Sequence, residues 1–162
     1  MSLRYGSEVP MRATTTCVIL IAAVSIAPAA SPAPDWAVAV FPSGAEFSLE
    51  IAATPEARAM GYMFRERIGA GEGMLFLFDT PERHGFWMKN CRVSLDIIWL
   101  SESLQVLEIA HKRPPCPEDG ECLTIQPMRP AKYVLEVAGG TALRESLEAG
   151  QHVVILAEPA LR

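Results

Sequence analysis

Two carboxylates stand where the alternation of a strand turns them toward apolar neighbours. In Leu95-Asp-Ile-Ile-Trp-Leu100, a period of two places Asp96 with Ile98 and Leu100, leaving Leu95, Ile97 and Trp99 on the other face. In Tyr133-Val-Leu-Glu-Val137, Glu136 falls with Val134, opposite Tyr133, Leu135 and Val137. An unpaired carboxylate in such surroundings is neutralised or strongly destabilising, so each needs a cation or several N–H donors. Arg65, in the apolar context Met63-Phe64-Arg65, is the expected partner, because its planar guanidinium can hold one or two carboxylates bidentately. That pairing has two readings: a structural ion pair, or an arginine that faces a cleft and binds an anionic or sugar-like ligand.

Phe86-Trp-Met-Lys-Asn90 sets bulky side chains beside a cation and an amide. Extended as a strand, it would show Trp87 and Lys89 on one face and Phe86, Met88 and Asn90 on the other. An aromatic ring beside directed hydrogen-bonding groups makes a ligand platform; the alternative is core packing of Phe86 and Met88 with an incidental Lys89. The expected ligand-binding set is therefore Arg65, Trp87, Lys89, Asn90, Asp96 and Glu136. Three functions fit it. The first is a non-catalytic binding or accessory module of the cell envelope for a small polar or sugar-like ligand. The second is an enzyme acting on envelope carbohydrate or a small polar substrate, with Asp96 and Glu136 as acid and base and Arg65 stabilising negative charge. The third is a structural domain that meets a protein partner through its cysteine loop.

The elements that must position these residues are short. Glu46 to Ala52 alternates cleanly, as a half-buried strand does. Thr54-Pro-Glu56 supplies a capping hydroxyl, a first-turn proline and an acid, which start a helix that Gly61 stops about two turns later. Gly73–Phe78 and Leu95–Leu100 read as strands buried on both faces, and Leu104–Ala110, Lys132–Val137 and His152–Ala157 add to the β count. Thr141 to Ala149 has helical spacing and ends at Gly150. With no βαβ rhythm, the pattern predicts a mainly β fold, a compact β-sandwich or barrel-like single domain with two short helices. Gly-rich phosphate loops, nucleophile-elbow patterns and paired metal-binding histidines are missing from the sequence, so no cofactor and no metal are expected. His84, His111 and His152 are scattered, and Met60, Met63, Met74, Met88 and Met128 read as core filling.

The first thirty residues read as a secretory signal: Arg12 gives the positive region, Cys17–Ala27 the apolar run, and Ala27-Pro-Ala-Ala30 the small residues for cleavage. Met11 is an alternative start, and the apolar run is short for a membrane span. The expected organisation is a signal over 1–30, a flexible leader over 31–35 and one β-rich domain over 36–162, placed in the periplasm or secreted. The formal charge of −5 becomes −6 when Arg4, Glu8 and Arg12 leave. An acidic domain without a Lys/Arg cluster is a poor fit to nucleic acid or an anionic membrane, so a small ligand or an envelope protein is the expected partner. In an oxidising compartment Cys116 and Cys122, five polar residues apart, should close a loop by a disulfide, leaving Cys91 as a buried, inert thiol.

Met60-Gly-Tyr-Met-Phe-Arg65, Gly73-Met-Leu-Phe-Leu-Phe78, Phe86-Trp-Met-Lys-Asn90, Leu95-Asp-Ile-Ile98 and Tyr133-Val-Leu-Glu136 followed by Gly139 together resemble the domain of unknown function 192 family. Those proteins are small, bacterial or archaeal, and often exported. The resemblance implies a β-sandwich or barrel-like domain with no established activity. Tyr62 stands where the family usually has Leu, and Cys91 where it often has Thr.

Overall fold

The computed structural model describes residues 36–117 and 119–156. The expected signal (1–30) and leader (31–35) lie outside the described residues. In chain order the elements are β1 (Trp36–Val40), β2 (Glu46–Ala52), α1 (Pro55–Met60), β3 (Glu72–Glu82), β4 (Leu95–Leu100), β5 (Val106–Arg113), β6 (Ala131–Ala138), α2 (Thr141–Arg144) and β7 (Val154–Leu156).

The strands form one seven-stranded sheet in the order β5-β4-β6-β3-β2-β1-β7. It curls as a half-barrel. A bridge between Gln105 and His152, and the bond from Val106 N–H to the Gln151 carbonyl at 2.8 Å, bring the segments beside its two outer strands together. Each face carries its own apolar cluster. One contains Phe41, Phe47, Leu49, Leu75, Ile98, Leu100, Leu135 and Val137. The other contains Tyr62, Met74, Phe76, Met88, Leu95, Ile97, Trp99 and Val134. Strand β4 feeds both clusters and is buried at all six positions, which is why its sequence is a nearly continuous apolar run.

Most expected elements are present, with Thr54 capping α1 through a bond from Ala57 N–H at 3.2 Å and Gly61 ending it. Three differ. Strands β2 and β3 pair in parallel across α1, so the chain contains one β-α-β crossover that the spacing did not suggest. Helix α2 stops at Arg144 rather than running to Ala149. Ser146 takes φ 52 and Leu147 N–H bonds to the Ala142 carbonyl at 2.8 Å, so the chain winds out in a tight turn toward Gly150, φ 96. Phe86–Asn90 is not a strand: Phe86 alone bridges to Ile125, and Asn90 has φ 56, which breaks the extended path. The shared-face argument for Trp87 and Lys89 therefore fails, although Lys89 Nζ still lies 5.6 Å from the centre of the Trp87 ring.

Candidate functional site

The curled sheet separates the two carboxylates. Across β4 and β6, Asp96 is registered with Val137 and Ile97 with Glu136, so the acids project from opposite faces. Asp96 and Glu136 cannot serve as the acid and base of one site, which removes the enzymatic reading built on that pair.

Asp96 is fully buried. It accepts three backbone N–H bonds, from Lys112 at 2.7 Å, Gly140 at 2.9 Å and Ala142 at 2.7 Å. Lys112 has φ 44 at an irregularity of β5, and Gly140 has φ 91 as the residue before α2. The carboxylate fastens these two non-repetitive pieces of backbone to the centre of the sheet, and its partners are the N–H donors rather than a cation.

Arg65 is bound elsewhere. Its guanidinium forms a two-pronged pair with Glu50, Nη2 to Oε2 at 2.6 Å, and lies 5.0 Å from the centre of the Tyr62 ring. The pair is partly exposed; Arg65 holds the Glu50 carboxyl below its ordinary range chiefly by hydrogen bonding. The expected Arg65–Asp96 or Arg65–Glu136 pairing is thus replaced by Arg65–Glu50. Glu50 lies on the exposed face of β2, where an arginine keeps much of its hydration.

Glu136 is the exception among the buried polar groups. Its residue is 3% exposed, its cross-strand neighbours are Met74 and Ile97, and its carboxyl forms no protein hydrogen bond or ion pair among the described residues. Burial without compensation pushes its pKa up to about 8, so the carboxyl is mostly neutral at pH 7. What little of it is exposed opens on a cleft of about 280 Å³. Phe76 and Phe78 from β3, Tyr62 and Arg58 from α1 and its exit, and His84, Phe86 and Trp87 from the loop after β3 line this cleft, together with Cys91. Phe86 meets Phe76 at 88° and Phe78 at 83°, with centroids 4.9 and 6.5 Å apart, so the rings form corners instead of a stack. His84 stacks on Phe78 at 3.5 Å.

Gly61 keeps the wall thin: at φ 46, a Cβ there would come within 3.4 Å of Phe76 and 3.8 Å of Glu136. Arg58 is engaged with the carbonyls of Ala53 at 2.5 Å and Leu77 at 2.9 Å, and lies 5.2 Å from the Phe78 centroid. Burial, and then the charge of Glu136, raise the Cys91 thiol to about 11, which keeps it protonated at neutral pH; the residue is half-buried, not fully buried as expected. Tyr62 is likewise raised, by burial first and by Glu50 next.

Of the six residues expected to bind a ligand, only Trp87 and Glu136 line this cleft. Lys89 and Asn90 line a second depression with Phe64, Arg92 and the Cys116–Cys122 disulfide, which is formed with Cα atoms 5.3 Å apart. The unforeseen wall residues had a signal: Met74, Phe76 and Phe78 alternate along β3 on the face that the antiparallel register shares with Glu136. Core filling holds for Met74 and Met88, whereas Met60 and Met128 are exposed. Among the described residues no group of three His, Cys, Asp or Glu side chains is placed to hold a metal ion, and no helix is long and apolar enough to cross a membrane.

The family model DUF192, described as an uncharacterised ACR, matches residues 38–155. The chain belongs to the DUF192 family. No curated protein matches it. Two crystal structures resemble the DUF192 domain. One is a protein of unknown function from Novosphingobium aromaticivorans, 32% identical, with TM-score 0.67 over 82% of this chain and 93% of that one. The other is from Sinorhizobium meliloti, described as "a putative transcription regulator", 25% identical, with TM-score 0.68 over 78% of this chain and 98% of that one.

Proposed function

We propose that this DUF192 domain is an exported, non-catalytic binding module of the cell envelope that recognises a small polar ligand in the cleft over Glu136. The observation that carries the reading is the Glu136 carboxyl, 3% exposed, without a partner among the described residues and lining the aromatic cleft. Fixed buried polar groups are normally satisfied, and one left free at the base of an aromatic cleft is what a ligand's own polar group would complete. Flat walls built from Phe76, Phe78, Phe86 and Trp87 suit a compact ligand with an apolar face, and the cleft volume lies at the lower end for small-molecule sites. The disulfide between Cys116 and Cys122 suits an oxidising compartment, which supports the exported part of the reading. The acidic charge of the chain argues against a nucleic-acid target.

Native mass spectrometry of the full chain purified from its own host tests this. The parent should retain a small-molecule adduct. Gly61→Val, which crowds Phe76 and Glu136, and Trp87→Ala, a change at a half-exposed position, should both lose it. A parent that carries nothing, variants that retain the adduct equally, or a retained protein in place of a small molecule would overturn the reading.

A further inference from the structure

We infer that the cleft selects a small organic cation, a primary or quaternary ammonium ion, which supplies the positive charge that no described residue gives Glu136. The inference rests on the cleft being a ligand site and names the chemistry of its ligand. Two independent features point the same way. A carboxylate held in apolar surroundings gains more from a cation than from any neutral partner, because little solvent screens the pair. Aromatic faces attract cations through their quadrupole, and the cleft that Glu136 lines is walled by Tyr62, Phe76, Phe78, Phe86 and Trp87. Among the described residues Arg58 lies over Phe78, Arg65 over Tyr62 and Lys89 over Trp87, which leaves Phe76 and Phe86 as the lining rings without a protein cation. None of those cations bonds to Glu136. A metal ion is a poor fit, since one carboxylate offers too few hard ligands.

Binding is coupled to a proton. The groups facing Glu136 are Arg58 from α1, Tyr62 after it, His84 after β3 and Cys91 before β4, while its strand neighbours Met74 and Ile97 carry no charge. Tyr62 and Cys91 stay neutral because burial raises both, and Arg58 is engaged with two backbone carbonyls. Glu136 is therefore the group that must ionise when a cation arrives. With its pKa near 8, it releases close to one proton per cation bound at pH 7, and affinity rises about tenfold per pH unit below 8.

Calorimetric titration of the full chain in two buffers of different protonation enthalpy, at pH 6, 7 and 8, tests this with four probes: n-butylammonium, tetramethylammonium, methyl β-D-glucopyranoside and acetate. The expected result is binding of the two ammonium ions alone, release of close to one proton at pH 7, and an affinity about tenfold higher at pH 7 than at pH 6. Glu136→Gln should weaken the ammonium ions at least tenfold and abolish the proton release. The parent's proton count stands even if that variant fails to fold. Binding of the glucoside without the ammonium ions overturns the cation assignment and leaves the ligand site intact, whereas cation binding with no proton release overturns Glu136 as the group that pairs with the cation. Binding of none of the four overturns both.

Discussion

Asp96 and Glu136 are both buried carboxyls on adjacent central strands, yet the protein treats them in opposite ways. On one face of the sheet Asp96 receives three N–H groups and ties the irregularity in β5 to the start of α2. On the other face Glu136 receives none from the described residues and is pushed toward neutrality. A buried charge that has been satisfied is architecture; one that has been left unsatisfied next to a cavity is an available binding energy.

The largest expected effect is on pH-dependent stability. The pKa of Glu136 is raised in the fold, from 4.5 to about 8, so the stability it allows is fully present below about pH 4.5 and is lost as pH rises through 8. The accumulated loss is on the order of 5 kcal/mol. Chemical denaturation across that window should show the decline in the parent and its absence in Glu136→Gln. Parallel curves for the two would show that Glu136 does not titrate abnormally.

Next comes Asp96→Asn, which turns an amide N–H₂ toward backbone N–H donors and leaves at least one unsatisfied in the core. It should cost about 3 kcal/mol or more at neutral pH. A loss below 1 kcal/mol would show that the three bonds are dispensable. The smallest effect belongs to the surface. A double-mutant cycle on Arg65 and Glu50 should give a coupling under about 1 kcal/mol that shrinks with salt, and the same cycle on Arg65 and Asp96 should give none.

The sequence exposed the problem of each carboxylate but not its solution. Alternation alone put Asp96 with Ile98 and Leu100, and Glu136 with Val134, as the two apolar clusters have them. It could not say that these faces are opposite, because that depends on the antiparallel register of β4 with β6, a long-range pairing. Local chemistry served well at Thr54-Pro55 and at the cysteine loop, where the partners are close in sequence. Nothing local leads from Arg65 to Glu50, an ordinary exposed strand residue by its pattern; the parallel crossover through α1 is what brings the two together. The cleft is half legible: Trp87 and Glu136 stand out by type, while Phe76 is core as the pattern says and lines the cleft as well, which only the pairing of β3 with β6 reveals.

The pairing of β1 with β7 also bears on how the molecule is made. These strands lie at nearly opposite ends of the described chain, and β1 meets β7 in an antiparallel register from Val38 to Val40. Contacts between such distant segments form slowly, since a long loop must close before they yield any stabilisation. A chain emerging from the ribosome therefore cannot finish this sheet until Val154–Leu156 has been synthesised, and until then one edge of β1 stays open. Late closure makes β7 a point of vulnerability, since removal of Val154–Leu156 would bare the edge of β1 that this strand covers.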